Sequence, residues 1–466
     1  MLFSSFVFIW MFLPVVLAGN CILQRIGGNR VTNVFLLVAS LFFYAWGEPV
    51  YILLMLFSIA VNWLAGVLLE RTAHRRAVLA ADVVVNLFLL GNFKYAGMAV
   101  STFNTLTHAD VPVPQIALPI GISFFTFQAL SYVIDVYRHD CDAQKSVMKL
   151  ALYISFFPQL IAGPIVKYRD IAEQIDNRTI SAARTAEGIR RFIYGFGKKI
   201  LLANTLAACV DEMYALPIAH ISGRFAWAAA ILYTMQLYYD FSGYSDMAIG
   251  LGKMCGFDFK ENFEYPYISC SISEFWRRWH ISLGTWFREY LYIPLGGSRH
   301  GAFRTDLNLF VVFLLTGLWH GANWNYVMWG ISQGALVLLE RNGLSKLLRK
   351  NRLLAHVYTL FFATITLMIF RIESVTMGLT YAMYMFMPWR YPGAGYTVGE
   401  YVNPHVLLAF VVAVAGTGFF RDTAIGTRIR RLAHTGWEAA FLIAVFLLSL
   451  LSLTGNTYNP FIYFRF

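Results

Sequence analysis

Apolar runs long enough to cross a bilayer recur from one end of this 466-residue chain to the other, and that recurrence constrains the fold more than any other feature. A helix needs about 20 apolar residues to span the hydrocarbon core, and by that measure roughly eleven segments qualify, some of them re-entrant. Only 14% of the residues are charged and 58% are hydrophobic, against roughly 25% charged in a soluble domain. The 40 Phe, 26 Tyr and 12 Trp match the aromatic belts of a membrane protein. The expectation is an all-α, polytopic membrane protein, read as a single domain over residues 1–466. The opening run, MLFSSFVFIWMFLPVVLAG, has no basic residue ahead of it, and the first is Arg25. It reads as an uncleaved first span and not as a signal peptide.

Charge sets the expected topology. Segments carrying Arg25 and Arg30, RTAHRR (71–76), Arg138 with Lys145 and Lys149, and Arg190 to Lys199 alternate with cation-free ones such as GEP (47–49) and 100–115. The excess of Lys and Arg in cytoplasmic loops places the basic segments inside and the N-terminus outside. It also places 341–352 and 421–434 inside and the tail GNTYNPFIYFRF outside. The net charge of +11 has this bias as its plain explanation and an anionic substrate as its alternative. Residues 251–304 break the alternation: they are rich in Trp, Tyr and Arg and interrupted by Pro266 and Pro294. They read as re-entrant and interfacial helices on the cytoplasmic side. The five cysteines form no CxxC pair and no metal-ligand spacing with histidine, so neither a disulfide framework nor a bound metal is expected. Nothing points to nucleic acid.

Three stretches could carry chemistry. LTGLWHGANW (315–324) sets His320 between two apolar runs, so a hairpin over 305–345 that starts and ends at the cytoplasmic side carries His320 to mid-membrane or beyond. Burial favours a neutral ring able to act as a base, and an ionisable group at that depth is a functional candidate; the alternative is a core histidine bonded to a carbonyl. Trp319, Gly321 and Asn323 are the local candidates for positioning and for oxyanion contact. SEFWRRWHISLGTWFREYLYIPLGGSR (273–299) collects Trp276, Arg277, Arg278, His280, Arg288 and Glu289. It is either an amphipathic helix facing lipid phosphates or a mouth for a phosphate-bearing donor. In QLYYDFSGYSDMAIGLG (236–252), Asp240 and Asp246 need partners; small-residue packing is the commoner reason for such a segment. There is no HExxH or P-loop, and no His followed by Asp at the H-x4-D spacing.

The ordered set LPIGISFFTFQALSYVIDVYR (118–138), FFPQLIAGPIVKYRDI (156–171), YYDFSGYSDMAIGLGKMCGFDFKENFEYPY (238–267), the 273–299 segment and LLTGLWHGANWNYVMWG (314–330) resembles the membrane-bound O-acyltransferase family. Within it, the resemblance is to the bacterial alginate O-acetylation branch, and it runs nearly end to end. Gly284 and Glu289 depart from the pattern, where Ser and Asp are expected. The resemblance implies that His320 is the catalytic histidine and His280 the second, supporting position. It implies a tunnel through the domain, open to an activated acyl donor inside (acetyl-CoA) and to an acceptor outside. It also implies an exported or periplasmic acetyltransferase partner, a polysaccharide acceptor and a home in the bacterial cytoplasmic (inner) membrane. Arg277, Arg278, Trp276 and Arg288 are then the donor-binding candidates, with Asp240, Asp246 and Glu289 as structural polar groups. A non-catalytic scaffold and a saccharide or lipid transporter are the alternatives from other classes.

Overall fold

The computed structural model describes residues 1–393, 395–455 and 459–460. The reading of the C-terminal tail as outward-facing falls largely on 456–458 and 461–466, outside the described residues. The architecture is all-helical. Among the described residues the β content is one isolated bridge, Phe263 to Trp279. The chain forms two compact units, 1–192 with 245–261, and 193–244 with 262–466.

Among the described residues, six helices are long and apolar enough to cross a membrane: α1 (Phe8–Ala45), α2 (Ile52–Arg71), α3 (Arg75–Thr107), then Gly301–His320, Arg352–Arg371 and Gly436–Gly455. Their outward faces are those of lipid-exposed helices, with Val15, Leu53, Phe88, Leu353 and Trp437 all more than half exposed. The gap between six and roughly eleven has a physical origin in how the chain bends. α1 is two antiparallel segments, not one rod. Gly28 breaks it with φ 61°, a conformation that glycine adopts at little cost. The chain folds back there, so Phe12 meets Phe43 at 5.5 Å between ring centroids, and Gly19 sits against the Phe35 ring. The basic stretch around Arg25 and Arg30 is therefore the bend itself. Other apolar stretches of the sequence form helices too short or too polar for a simple span.

In the first unit, α4 (Ile122–Arg138) is buried along nearly its whole length. Its neighbours are tied by polar contacts: Asn62 and Asn86 exchange amide hydrogen bonds between α2 and α3, and Lys94 Nζ donates to Ser123 Oγ at 3.1 Å. Buried polar groups in an apolar medium require such partners, which also fix helix register. Helices α5 (Ala182–Gly197) and α6 (Gly223–Met254) contribute residues to both units.

The second unit carries the centre of interest. Residues 255–300 contain no long helix: α7 (Ile272–Arg278) and α8 (Ile281–Phe287) are seven residues each. Next come α9 (Gly301–His320) and α10 (Trp324–Leu339), a tight helical hairpin turning at 321–323. Glycine lets these two backbones touch. A Cβ on Gly317 would lie 2.3 Å from the Tyr326 carbonyl oxygen, and one on Gly330 2.6 Å from that of Phe313. α11 (Arg352–Arg371) packs beside the hairpin.

One carboxylate anchors the short helices to the hairpin. Glu340, just past α10 and 2% exposed, accepts from the backbone N–H groups of Ile272 (2.5 Å) and Ser273 (2.9 Å) and from Ser273 Oγ (2.6 Å). It satisfies donors that the start of α7 would otherwise leave unpaired. Replacing Glu340 by Ala strands those donors at roughly 1–3 kcal/mol each. The expected outcome is a clear fall in Tm of the detergent-solubilised protein, with Glu340→Gln, which keeps an acceptor, losing less.

Candidate functional site

His320 is the last residue of α9, at the tip of the hairpin, and is 5% exposed. Three aromatic rings enclose it: Trp319 at 5.0 Å, Trp329 of α10 at 5.2 Å and Phe370 of α11 at 5.1 Å, all close to edge-on. Tyr326 extends this wall by packing on Phe370 at 5.0 Å. The turn is shaped for this. Gly321 is required because a Cβ there would lie 2.2 Å from the Tyr326 ring, and the Asn323 side chain caps α10 by accepting from Asn325 N–H at 3.5 Å. Twenty residues of helix rise roughly 30 Å, so the hairpin carries His320 far from the basic segment, with Arg299 and Arg304, at its base.

His280 belongs to the same cluster. It is 2% exposed and begins α8 in a left-handed backbone conformation, φ 46°. Its ring meets Phe241 edge-on at 4.6 Å and lies 6.1 Å from Trp319. Trp319 thus stands between the two imidazoles. Asn262 Oδ1 lies 3.1 Å from His280 Nδ1. Burial pushes the His280 imidazole from its ordinary 6.5 down to about 3. A ring so placed is neutral at physiological pH and does not serve as a cation for donor phosphates.

The other sequence candidates separate into distinct roles. Trp276 does not face outward with the arginines: its Nε1 donates to Gln333 Oε1 at 3.0 Å and its ring meets Trp329 at 5.4 Å. It braces the wall behind His320. Arg277 and Arg288 are exposed. Arg278 is held by Glu274 at 3.0 Å and donates to the Glu264 carbonyl at 3.2 Å, so part of its donor set is already used within the fold. Glu289 is half-buried and Gly284 exposed. Asp240 is ion-paired with Lys199 at 2.6 Å inside the second unit, both almost fully buried. Lys199 also donates to the Pro460 carbonyl. Asp246 is paired with Arg191 at 2.6 Å in the first unit, where Arg191 also holds Glu261. Among the described residues, no group of three His, Cys, Asp or Glu side chains is arranged to hold a metal ion.

The sequence reading missed Trp329, Gln333, Phe370 and Asn262. Tyr326, Trp329, Gly330 and Gln333 repeat at helical spacing on the face of α10 turned to α9 and α7, so the first two could have been found from periodicity once the hairpin was placed. Phe370 and Asn262 carry no local signal, because only the tertiary fold brings them to the histidines.

Comparison with known proteins shows the family of the chain. The sequence profile of the membrane-bound O-acyltransferase family matches residues 141–382, a span that contains both histidines. The chain belongs to the membrane-bound O-acyltransferase family. It is similar over its full length to a probable alginate O-acetylase of Pseudomonas putida, at 40% identity with all of both chains covered. A probable alginate O-acetylase of Pseudomonas aeruginosa is 42% identical over 94% of this chain and 86% of its own. A peptidoglycan O-acetyltransferase of Helicobacter pylori is 34% identical over 81% and 78%. This is a multi-pass membrane O-acyltransferase.

The depressed His280 value has a consequence for stability. Between about 3 and 6.5 the unfolded chain binds a proton that the folded chain refuses, so stability rises with pH across that window. The contribution is complete above 6.5 and disappears as pH falls through about 3. His280→Gln, which cannot titrate, is therefore expected to flatten the decline of Tm on acidification, measured against wild type at matched pH.

Proposed function

We propose that this O-acyltransferase takes an acetyl group from a thioester on the cytoplasmic side, acetyl-CoA, and delivers it to hydroxyls of an extracytoplasmic polysaccharide. The proposed site is the His280–Trp319–His320 cluster, and the proposed setting is the bacterial inner membrane with the N-terminus outside. Relatives named for acetylating alginate and peptidoglycan support a glycan acceptor. An exported acetyltransferase partner that completes transfer onto the glycan is part of the proposal. The observation that carries it is the position of His320: an ionisable ring at the far tip of a hairpin, walled by aromatics, with basic residues at the hairpin base.

The chemistry asks for a base and for stabilisation of an oxyanion. The His320 imidazole removes the proton of the incoming hydroxyl as its oxygen bonds to the acyl carbon. When the carbon–sulfur bond breaks, the proton passes from His320 to the departing thiolate, giving ester and thiol. Trp319, Asn323 and the backbone N–H groups at the turn are the positioning and oxyanion candidates. The enclosing rings exclude water and strengthen the electrostatic terms.

His320→Ala is expected to reduce consumption of labelled acetyl-CoA by purified protein, with its partner present, by roughly 10² to 10⁴-fold. Wild-type turnover in a folded, inserted variant sinks the assignment. For the donor mouth, Arg277→Gln is expected to raise the KM for the thioester with little change in kcat, as removal of a phosphate-anchoring charge should. An unchanged KM rejects that role for Arg277.

A further inference from the structure

The acceptor that meets His280 determines how that ring is protonated. The Asn262 side chain is fully buried. Its Oδ1 lies 3.2 Å from the Ser282 backbone nitrogen, 2.9 Å from Ser282 Oγ and 3.1 Å from His280 Nδ1. A carboxamide can be placed either way round from shape alone, so its hydrogen bonds must decide the orientation. Here the backbone N–H of Ser282 decides, because it can only donate. The atom facing it is the carbonyl oxygen, not the amide nitrogen. The same oxygen then faces His280 Nδ1, which must carry a proton to bond to it.

We infer that Asn262 is a positioning residue that locks His280 in the Nδ1–H tautomer, so that Nε2 presents a lone pair to the acyl-transfer cluster. This deepens the reading of the His280–Trp319–His320 cluster as the transfer site and rests on it. In that state His280 is a neutral acceptor, suited to receive a hydrogen bond from an O–H or N–H of a bound substrate. It is not a cationic anchor. The groups packed on the ring include Asn262 ahead of α7, Ser282 on α8, Phe241 on α6 and Trp319 on α9. None of these four carries a charge. The local backbone reinforces the arrangement, because Ile281 N–H donates to the Asn262 carbonyl at 3.0 Å, and Phe263 and Trp279 form a bridge alongside. Asn262 is therefore held from both its main chain and its side chain before any substrate arrives.

The test uses full-length protein with ¹⁵N-labelled histidine in lipid bilayers, with the His280 resonances identified by their loss in His280→Gln. Wild type is expected to show a neutral ring protonated on Nδ1, unchanged as pH is lowered from about 7 to about 5. Asn262→Asp sets a carboxylate against Nδ1 and is expected to give a doubly protonated ring at neutral pH. It should also move the acid limb of the kcat profile up by about one pH unit or more. Asn262→Ala is expected to lower kcat by roughly 10²-fold with KM for the thioester within about twofold. A wild-type ring protonated on Nε2 overturns the inference. So does an Asp variant whose resonances and pH profile match wild type. Resonances as expected, combined with wild-type turnover in both variants, uphold the lock and reject the transfer site on which it rests.

Discussion

Two glycines touching across a helical hairpin hold the site in place. With Gly317 against the Tyr326 carbonyl and Gly330 against that of Phe313, α9 and α10 approach backbone to backbone. Helices in lipid gain little from hydrophobic burial against one another, so close packing of small residues supplies much of their association. That closeness is what brings Trp329 onto the ring of His320, which belongs to the other arm. A larger residue at either glycine would push Phe313 and Tyr326 outward, and with them the wall around the histidine. Glu340 continues the same construction from the far end of α10, gripping the start of α7 and so carrying Trp276 onto the back of Trp329.

The polar groups buried in this chain divide by what they meet. Asp240 and Asp246, six positions apart on one segment, both needed partners. The fold gives each its own cation, Lys199 and Arg191, in different units. A buried charge opposite a partner satisfies the demand that burial creates. His280 instead meets the Phe241 ring and the neutral Asn262 acceptor, and His320 meets aromatic rings.

Much of this was legible in the sequence, for reasons tied to particular residues. Apolar length announced the spans, and the cation pattern marked Arg25 and Arg30 as a bend that Gly28 then makes. The break in that pattern at 251–304 corresponds to the short helices there. His320 was found because an ionisable residue among apolar ones is conspicuous. Asn262 and Phe370 were not, because an asparagine near Lys260 and Glu261, or a phenylalanine inside an apolar helix, is ordinary until folding sets it against a histidine. Trp276 was grouped with the arginines because it adjoins Arg277 in sequence, whereas successive residues of a helix face different ways.

The aromatic enclosure of His320 bears on economy as well as rate. A general base left open to solvent would activate water as readily as a sugar hydroxyl, and each such event would spend a thioester with nothing acylated. Rings of Trp319, Trp329 and Phe370 on three sides leave few places for water to sit beside the imidazole. In the proposed role of His320, an enclosure of this kind would select for the alcohol that is delivered to it and guard the activated acyl group against futile hydrolysis.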